Sequence, residues 1–364
     1  MATTVTSVVT NQRVEFPNVH ARPEQQTLGA IVRRNVVLLL LYAVWVLGCT
    51  GYFALSAFSV AALAYAAIMG DASYVPSVVR IYIGGMVLYS SYHLTVHRNG
   101  QPKWPYLHEL CCSTLRKYPY FRHQICIFEE FEEESLKNPD KAFAKPKDKA
   151  IYAFHPHGIL GCGCTVNGAF SMRFDQADAP WLVAENLFWF PLMRDLFNWM
   201  GFDNVRKETF VKYMKEDRNL CFIPGGFEEA TIYQHGKHRS YIKRRFGFIK
   251  LALEYGYKIH PVYTFGEELA YNTFTPLLKF RLWLNTWKIP GAVFSGRLWC
   301  PYLPRNDCEI TTVVGKAVQM PKIENPTKED VVKYQAIYVK ALVDLFELNK
   351  VKYGADPTAQ LEFF

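Results

Sequence analysis

The distribution of apolar and charged positions divides the chain into two regions of different character. From Asn35 to Gly70 there are 36 residues without an Asp, Glu, Lys, Arg or His. A bilayer core is spanned by about 20 apolar helical residues, so one crossing is predicted here. Two crossings and a turn need more than roughly 40 residues. A second pass is therefore expected from the next apolar stretch, Val78 to Tyr92, which only Arg80 interrupts, with Asp71 to Pro76 as the intervening turn. Arg22, Arg33 and Arg34 precede the first segment, and Arg98 and Lys103 follow the second. Basic flanks stay on the cytosolic side, which predicts an in-and-out helical hairpin, transmembrane or re-entrant, over residues 35–96. A secretory signal peptide is disfavoured, because the apolar run starts late, is too long and lacks an early cleavage site.

Residues 1–34 read as a cytosolic N-terminal segment and 97–364 as a cytosolic domain. Within that domain the densely charged Glu129 to Lys149, with Glu132-Glu133-Glu134, reads as a solvated helix or linker. Beyond it, short β-like runs alternate with helical patterns. Ile151 to Phe154, Leu220 to Ile223, Ile259 to Phe265 and Ile310 to Val314 are predicted as buried strands. Gly247 to Tyr255 and Lys328 to Asn349 are predicted as helices. In the second, Tyr334, Ile337, Ala341 and Leu345 share a face, and Thr327 with Asp330 resembles an N-terminal cap. The alternation predicts an α/β domain whose ligands lie near the carboxyl ends of strands.

Two segments follow directly on predicted strands: His155-Pro156-His157-Gly158, and Pro224-Gly225-Gly226-Phe227-Glu228-Glu229. Proline stiffens the histidine pair, and an imidazole at a strand end suits a general base near neutral pH. The glycine pair lets backbone approach a substrate closely, and Glu229 is placed to orient a histidine or take up charge. A zinc reading of His155, His157, Cys162 and Cys164 is weak, because Cys-x-Cys lacks the spacing of a structural site; no metal is expected. No histidine is followed five residues later by Asp, and neither a Gly-x-Ser-x-Gly elbow nor a Walker loop occurs.

Composition narrows the partners. Half of the residues are hydrophobic and 15% are aromatic, which excludes a disordered chain. The net charge of +8 suits an anionic partner: nucleic acid, a membrane surface or a polyphosphate. The cationic stretch Lys237 to Arg245, with Lys243 and Arg245, suits phosphate recognition. Nucleic acid is disfavoured for a membrane-anchored chain without a nucleic-acid module, and a phosphorylated acyl carrier such as coenzyme A fits better. Nine scattered cysteines and the absence of an Asn-x-Ser/Thr sequon point to a reducing compartment.

Taken together, the blocks resemble the type-2 diacylglycerol acyltransferase family, which includes monoacylglycerol acyltransferases and wax synthases. His155-Pro156-His157-Gly158 is similar to the family's HPHG block. Pro191-Leu192-Met193-Arg194-Asp195 is similar to its Pro-x-x-Arg-Glu/Asp segment, and Gly225-Gly226-Phe227-Glu228-Glu229 to its Gly-Gly-x-x-Glu segment. Gly247 to Leu253, Pro261 to Glu267, Ile310 to Gly315 and Asn325-Pro326-Thr327 continue the match in order. Tyr120-Phe121-Arg122 departs from the family's Tyr-Phe-Pro. So do Phe246, where a lysine is common, and Pro224 and Phe227, where smaller residues are common.

The resemblance implies an acyltransferase-like mixed sheet flanked by helices. It also implies acyl transfer from acyl-CoA to a lipid hydroxyl, usually that of diacylglycerol, at the cytosolic face of the endoplasmic reticulum, with lipid-droplet association as an extension. Acyl-CoA is then a co-substrate and no further cofactor is expected; a homo-oligomer is compatible with this reading. His157 is taken as the base, with His155 as the alternative and Glu229 orienting the imidazole. Pro156, Gly158, Arg194, Gly225, Gly226, Lys243 and Arg245 are expected around the substrates. A monoacylglycerol or a fatty alcohol is the alternative acceptor, and an inactive lipid-binding protein is the reading outside catalysis. A covalent route through Cys162 or Cys164 is not required.

Overall fold

The four predicted strands all form, and they lie side by side. In a computed structural model of the chain, which describes residues 8–10, 13–17, 27–97, 101–115, 121, 123–131, 144–175, 177–298, 300–305, 308–354 and 356–364, the strands are Ala150–His155, Leu220–Phe222, Lys258–Phe265 and Glu309–Val314. Arg22, Arg98, Tyr120, Arg122 and Glu132-Glu133-Glu134 lie outside the described residues. The chain divides into two compact units: Met1–Gln26, Cys112–Val183 and Val205–Phe364 form one, Thr27–Cys111 and Ala184–Asn204 the other.

The first unit is a mixed sheet flanked by helices. Its strand order is Val8–Thr10, Arg13–Pro17, His123–Phe128, Glu309–Val314, Lys258–Phe265, Ala150–His155, Leu220–Phe222, Trp181–Val183. Ala150–His155 runs parallel to both of its neighbours, with His155 opposite Tyr263 and Ala153 opposite Phe222. Glu309–Val314 is antiparallel to Lys258–Phe265. Ile151 and Ala153 face a core with Met214, Leu251 and Tyr338, while Tyr152 and Phe154 face another with Phe128 and Phe174. Burial on both faces is why these strands read as continuous apolar runs rather than as alternations. Because the three central strands are parallel, their carboxyl ends emerge at one edge. The histidine block, the glycine pair and Gly266-Glu267 leave the sheet there.

Helix Gly247–Tyr255 has the predicted bounds. The long helix Lys328–Tyr353 starts on the predicted cap, with the Thr327 side chain accepting from the Asp330 amide and Asp330 from the Thr327 amide. Its inward face differs from the expected one. Of Tyr334, Ile337, Ala341 and Leu345 only Leu345 is buried, and Ile337 is 43% exposed. The buried row is Val331, Gln335, Tyr338, Leu342, Phe346 and Asn349. Polar side chains turn this helix. Gln335 donates to the carbonyls of Ile242 and Lys243, Tyr338 reaches His155, and Asn349 reaches Glu129. An apolar-only pattern does not register such anchors.

In the second unit the helices Leu28–Trp45 and Tyr52–Met69 are joined by a π-helical segment, Val46–Gly51. The helical run Leu28–Met69 is 42 residues long with mean hydropathy 2.1 in its most apolar window, enough in length and composition to cross a membrane. It starts before Arg33 and Arg34 rather than after them. Gly70 ends it in the left-handed conformation, and Asp71 caps the turn by accepting from the Ser73 amide. The helix Ser77–Thr95 then returns, tied back where Ser56 Oγ lies 2.7 Å from Tyr82 Oη. Helix Met193–Met200 belongs to the same unit. Its buried Asp195 accepts from the Tyr89 hydroxyl at 2.8 Å and lies 3.2 Å from His93 Nε2.

Candidate active site

His155 is the last residue of its strand and is fully buried. Its Nε2 is 2.9 Å from the Tyr338 hydroxyl and its Nδ1 is 3.3 Å from Ser240 Oγ. With both nitrogens engaged by buried hydroxyls, this ring has no position left for a substrate proton. Pro156 follows through a cis peptide.

His157 is only half-buried, and its Nδ1 lies 3.2 Å from the Gly158 carbonyl oxygen. A carbonyl only accepts, so Nδ1 carries the proton and Nε2 carries the lone pair. No partner from the described residues takes up Nε2. Burial depresses the pKa of this imidazole below the ordinary histidine value, opposed by Glu229 and by the Gly158 carbonyl. The ring is therefore neutral at neutral pH, as a proton acceptor must be.

Glu229 lies in the helix Gly226–Ile232, which begins at the glycine pair. Its carboxylate is buried, and neither oxygen finds a hydrogen-bond partner among the described residues. Its Oε1 lies 3.8 Å from Nδ1 of the buried His155 ring. A Cβ at position 225 would lie 1.3 Å from Glu229 Oε2, so only glycine leaves room for the carboxylate. A buried carboxyl group without a hydrogen bond is costly to the fold. Arg245 Nη2 pins this turn by donating to the Gly225 carbonyl at 3.0 Å, and it pairs with Glu228.

Glu267 is a site residue that motif reading did not single out, although it closes the Pro261 to Glu267 block. It is fully buried, and its carboxylate accepts from the amides of Cys162 at 3.0 Å and Gly163 at 2.6 Å. A Cβ on Gly158, whose φ is +59°, would lie 2.2 Å from Glu267 Oε1. The loop after His157 is thus moulded onto this side chain. Burial pushes Glu267 up to about 7, against those two amides. Burial also raises the Cys162 and Cys164 thiols far above their ordinary value, so neither supplies a thiolate nucleophile. Among the described residues no cluster of three or more His, Cys, Asp or Glu side chains could hold a metal ion.

The structure brings His155, Pro156, His157, Gly158, Gly225, Gly226, Glu229 and Arg245 to one sheet edge. Lys243 is exposed, its Nζ 3.4 Å from the Phe363 carbonyl, and Arg194 is half-buried in the other unit. Much of the cationic stretch is built into the fold. Residues His238–Ser240 form a strand parallel to Leu361–Phe363, and Arg239 pairs with Glu362. Ser240 and Tyr338 carried no motif signal. Their only mark in the sequence is a hydroxyl set among residues that the strand and helix bury.

A family model described as diacylglycerol acyltransferase matches residues 129–364, a span that contains every residue of this constellation. The chain belongs to the diacylglycerol acyltransferase family. It is 35% identical over 240 residues to the mouse (Mus musculus) Diacylglycerol O-acyltransferase 2-like protein 6, covering 60% of this chain and 71% of that protein. It is 31% identical over 268 residues to the mouse Acyl-CoA wax alcohol acyltransferase 2, covering 68% and 78%. To the Diacylglycerol O-acyltransferase 2 of Dictyostelium discoideum it is 32% identical over 234 residues, covering 60% and 71%. No solved structure matches. As a member of the diacylglycerol acyltransferase family the chain is an acyl-CoA-dependent O-acyltransferase.

Proposed function

We propose that this acyltransferase joins the acyl group of acyl-CoA to the free hydroxyl of a diacylglycerol, forming triacylglycerol, with His157 as general base. The observation that carries the assignment of the base is the His157 Nδ1 contact to the Gly158 carbonyl, which leaves a neutral Nε2 open. His155, sealed between Tyr338 and Ser240, acts as a positioning residue.

In this mechanism the acceptor hydroxyl gives its proton to His157 Nε2 as its oxygen bonds to the thioester carbonyl carbon. The tetrahedral oxyanion collapses, the carbon–sulfur bond breaks, and the imidazolium returns the proton to the leaving sulfur of coenzyme A. The imidazolium exists only between these steps. The unpartnered Glu229 carboxylate stabilises it there, a differential effect of the kind that lowers a barrier. Backbone amides at Gly158 and in the Gly225-Gly226 turn are the donors assigned to the oxyanion.

The hairpin over residues 35–96 is read as the anchor in the endoplasmic reticulum membrane, with the catalytic domain in the cytosol. Its support is the uncharged run Asn35 to Gly70 and the basic residues on both flanks. A fatty alcohol is the second acceptor to test, because the relative aligned over 268 residues is named a wax alcohol acyltransferase. Membranes containing the protein, given labelled acyl-CoA with diacylglycerol, monoacylglycerol or fatty alcohol in turn, should yield triacylglycerol as the main product. Wax ester alone would overturn the acceptor assignment, and no transfer to any of the three would overturn catalysis.

A further inference from the structure

The helix Leu278–Thr286 is built inside out. Its buried residues are Arg281 and Asn285. Leu277, Phe280, Trp283 and Trp287 follow one another at three- and four-residue spacings and point outward. Arg281 is 5% exposed, whereas Leu277 is 67% and Trp287 66% exposed. The Arg281 guanidinium is consumed by four carbonyls, those of Pro276, Thr231, Gly291 and Thr275. Asn285 donates to the Ile289 carbonyl. These bonds fix the rotation of the helix, so the apolar face is held outward and cannot roll into the core. In water a helix takes the opposite orientation. A fold that spends a buried arginine on holding an aromatic face outward has an apolar medium to put it in.

The composition around the face identifies that medium. Residues 272–306 contain no Asp or Glu, and Lys279 and Lys288 are exposed at the helix and just beyond it. Tryptophan rings beside lysines are the residue pair of the membrane–water interface. The rings sit at headgroup depth, and the ammonium groups reach anionic headgroups along their own apolar stems. A protein partner would need a complementary pocket. A bilayer needs only depth and charge, and this face supplies both.

We propose that Leu278–Thr286, together with Leu277 and Trp287, is an interfacial anchor by which the catalytic unit itself enters the surface of an anionic bilayer. It is separate from the N-terminal hairpin in sequence and in kind, since it lies in the interface and does not span. The inference rests on no step of acyl transfer.

The test uses the full-length protein in phosphatidylcholine vesicles with or without phosphatidylserine. The fluorescence of the wild type is compared with that of the Trp283→Phe/Trp287→Phe variant, whose phenylalanines keep the face apolar and the fold intact. The difference between the two isolates these rings among the 8 tryptophans. Bromine-labelled acyl chains are expected to quench that difference by about half or more, as for rings about 5–10 Å deep, while aqueous iodide leaves it unchanged. Quenching should be about twofold greater or more with phosphatidylserine present. Quenching by iodide and not by bromine would place the rings in water and overturn the anchor. Protection from both quenchers would place them against protein, such as a second copy, and overturn it equally. Equal quenching in the two vesicle types would overturn the anionic preference. Acyl transfer measured on the same vesicles reports separately on the catalytic reading.

Discussion

The His155 ring nitrogen Nε2 and the Tyr338 hydroxyl lie 2.9 Å apart across 183 residues of sequence. Through this bond the helix Lys328–Tyr353 holds the strand end from which His157 projects. Neither residue is exposed, so the bond is made in a region without water to replace it.

Tyr338→Phe removes the hydroxyl and leaves a buried imidazole nitrogen unpaired. The expected cost is about 1–3 kcal/mol of stability. Thermal unfolding of the purified protein measures that cost. The turnover number should fall by more than the Michaelis constant rises, because the variant loosens the base and removes no substrate contact. A variant with wild-type turnover would separate His155 from catalysis.

His157→Ala should abolish acyl transfer while membrane insertion persists. In the wild type, burial depresses the His157 pKa, so the acidic limb of the rate profile should lie below the ordinary histidine value of about 6.5. The sign follows from the role: a base works unprotonated, and a lowered pKa extends that form toward acid. A limb centred above about 6.5 would assign the base to another group.

Burial holds Glu267 at about 7, above the ordinary glutamate value of 4.5. The folded state therefore binds more protons than the unfolded state between those limits. The contribution is complete below the unfolded value and is lost as the pH rises through 7. Glu267→Gln should flatten the fall in melting temperature over that window. At neutral pH it should also cost about 1–3 kcal/mol, because one of the Cys162 and Gly163 amides loses its acceptor. An unchanged slope of melting temperature with pH would remove Glu267 as the source.

Adjacent glycines separate space from strain. At Gly225 a Cβ meets Glu229 Oε2 at 1.3 Å, whereas at Gly226, with φ +59°, the nearest atom is 3.7 Å away. Gly226→Ala should cost about 1 kcal/mol of stability and leave most activity. Gly225→Ala displaces the carboxylate that faces the histidines, and its turnover should fall about 100-fold or more. Equal losses in the two variants would show that the carboxylate position does not matter.

The strands and helices of the catalytic unit were legible wherever one physical signal dominated. Ile151 to Phe154 and Ile259 to Phe265 are apolar because sheet covers both edges and helices both faces, and Thr327 with Asp330 forms the cap that its spacing predicts. The helix Lys328–Tyr353 faces otherwise than its apolar spacing predicts, since Gln335, Tyr338 and Asn349 turn inward on hydrogen bonds that hydrophobic spacing does not record. Helix Leu278–Thr286 is the extreme case, with its polar residues inside and its aromatic face out.

For the site, the sequence by itself determined the chemistry available: two histidines beside a stiff proline, a glycine pair with a glutamate, and an uncharged run long enough to cross a bilayer. Such information is local, and residue type and short spacing carry it. Tertiary structure alone decided which histidine is sealed and which is open, because Tyr338 and Ser240 reach His155 from distant elements. It also decided that Glu267 shapes the loop after His157 and that Arg245 holds the glycine turn. Burial and long-range hydrogen bonds set those roles, and both arise only when segments far apart in the chain meet at one edge of a sheet.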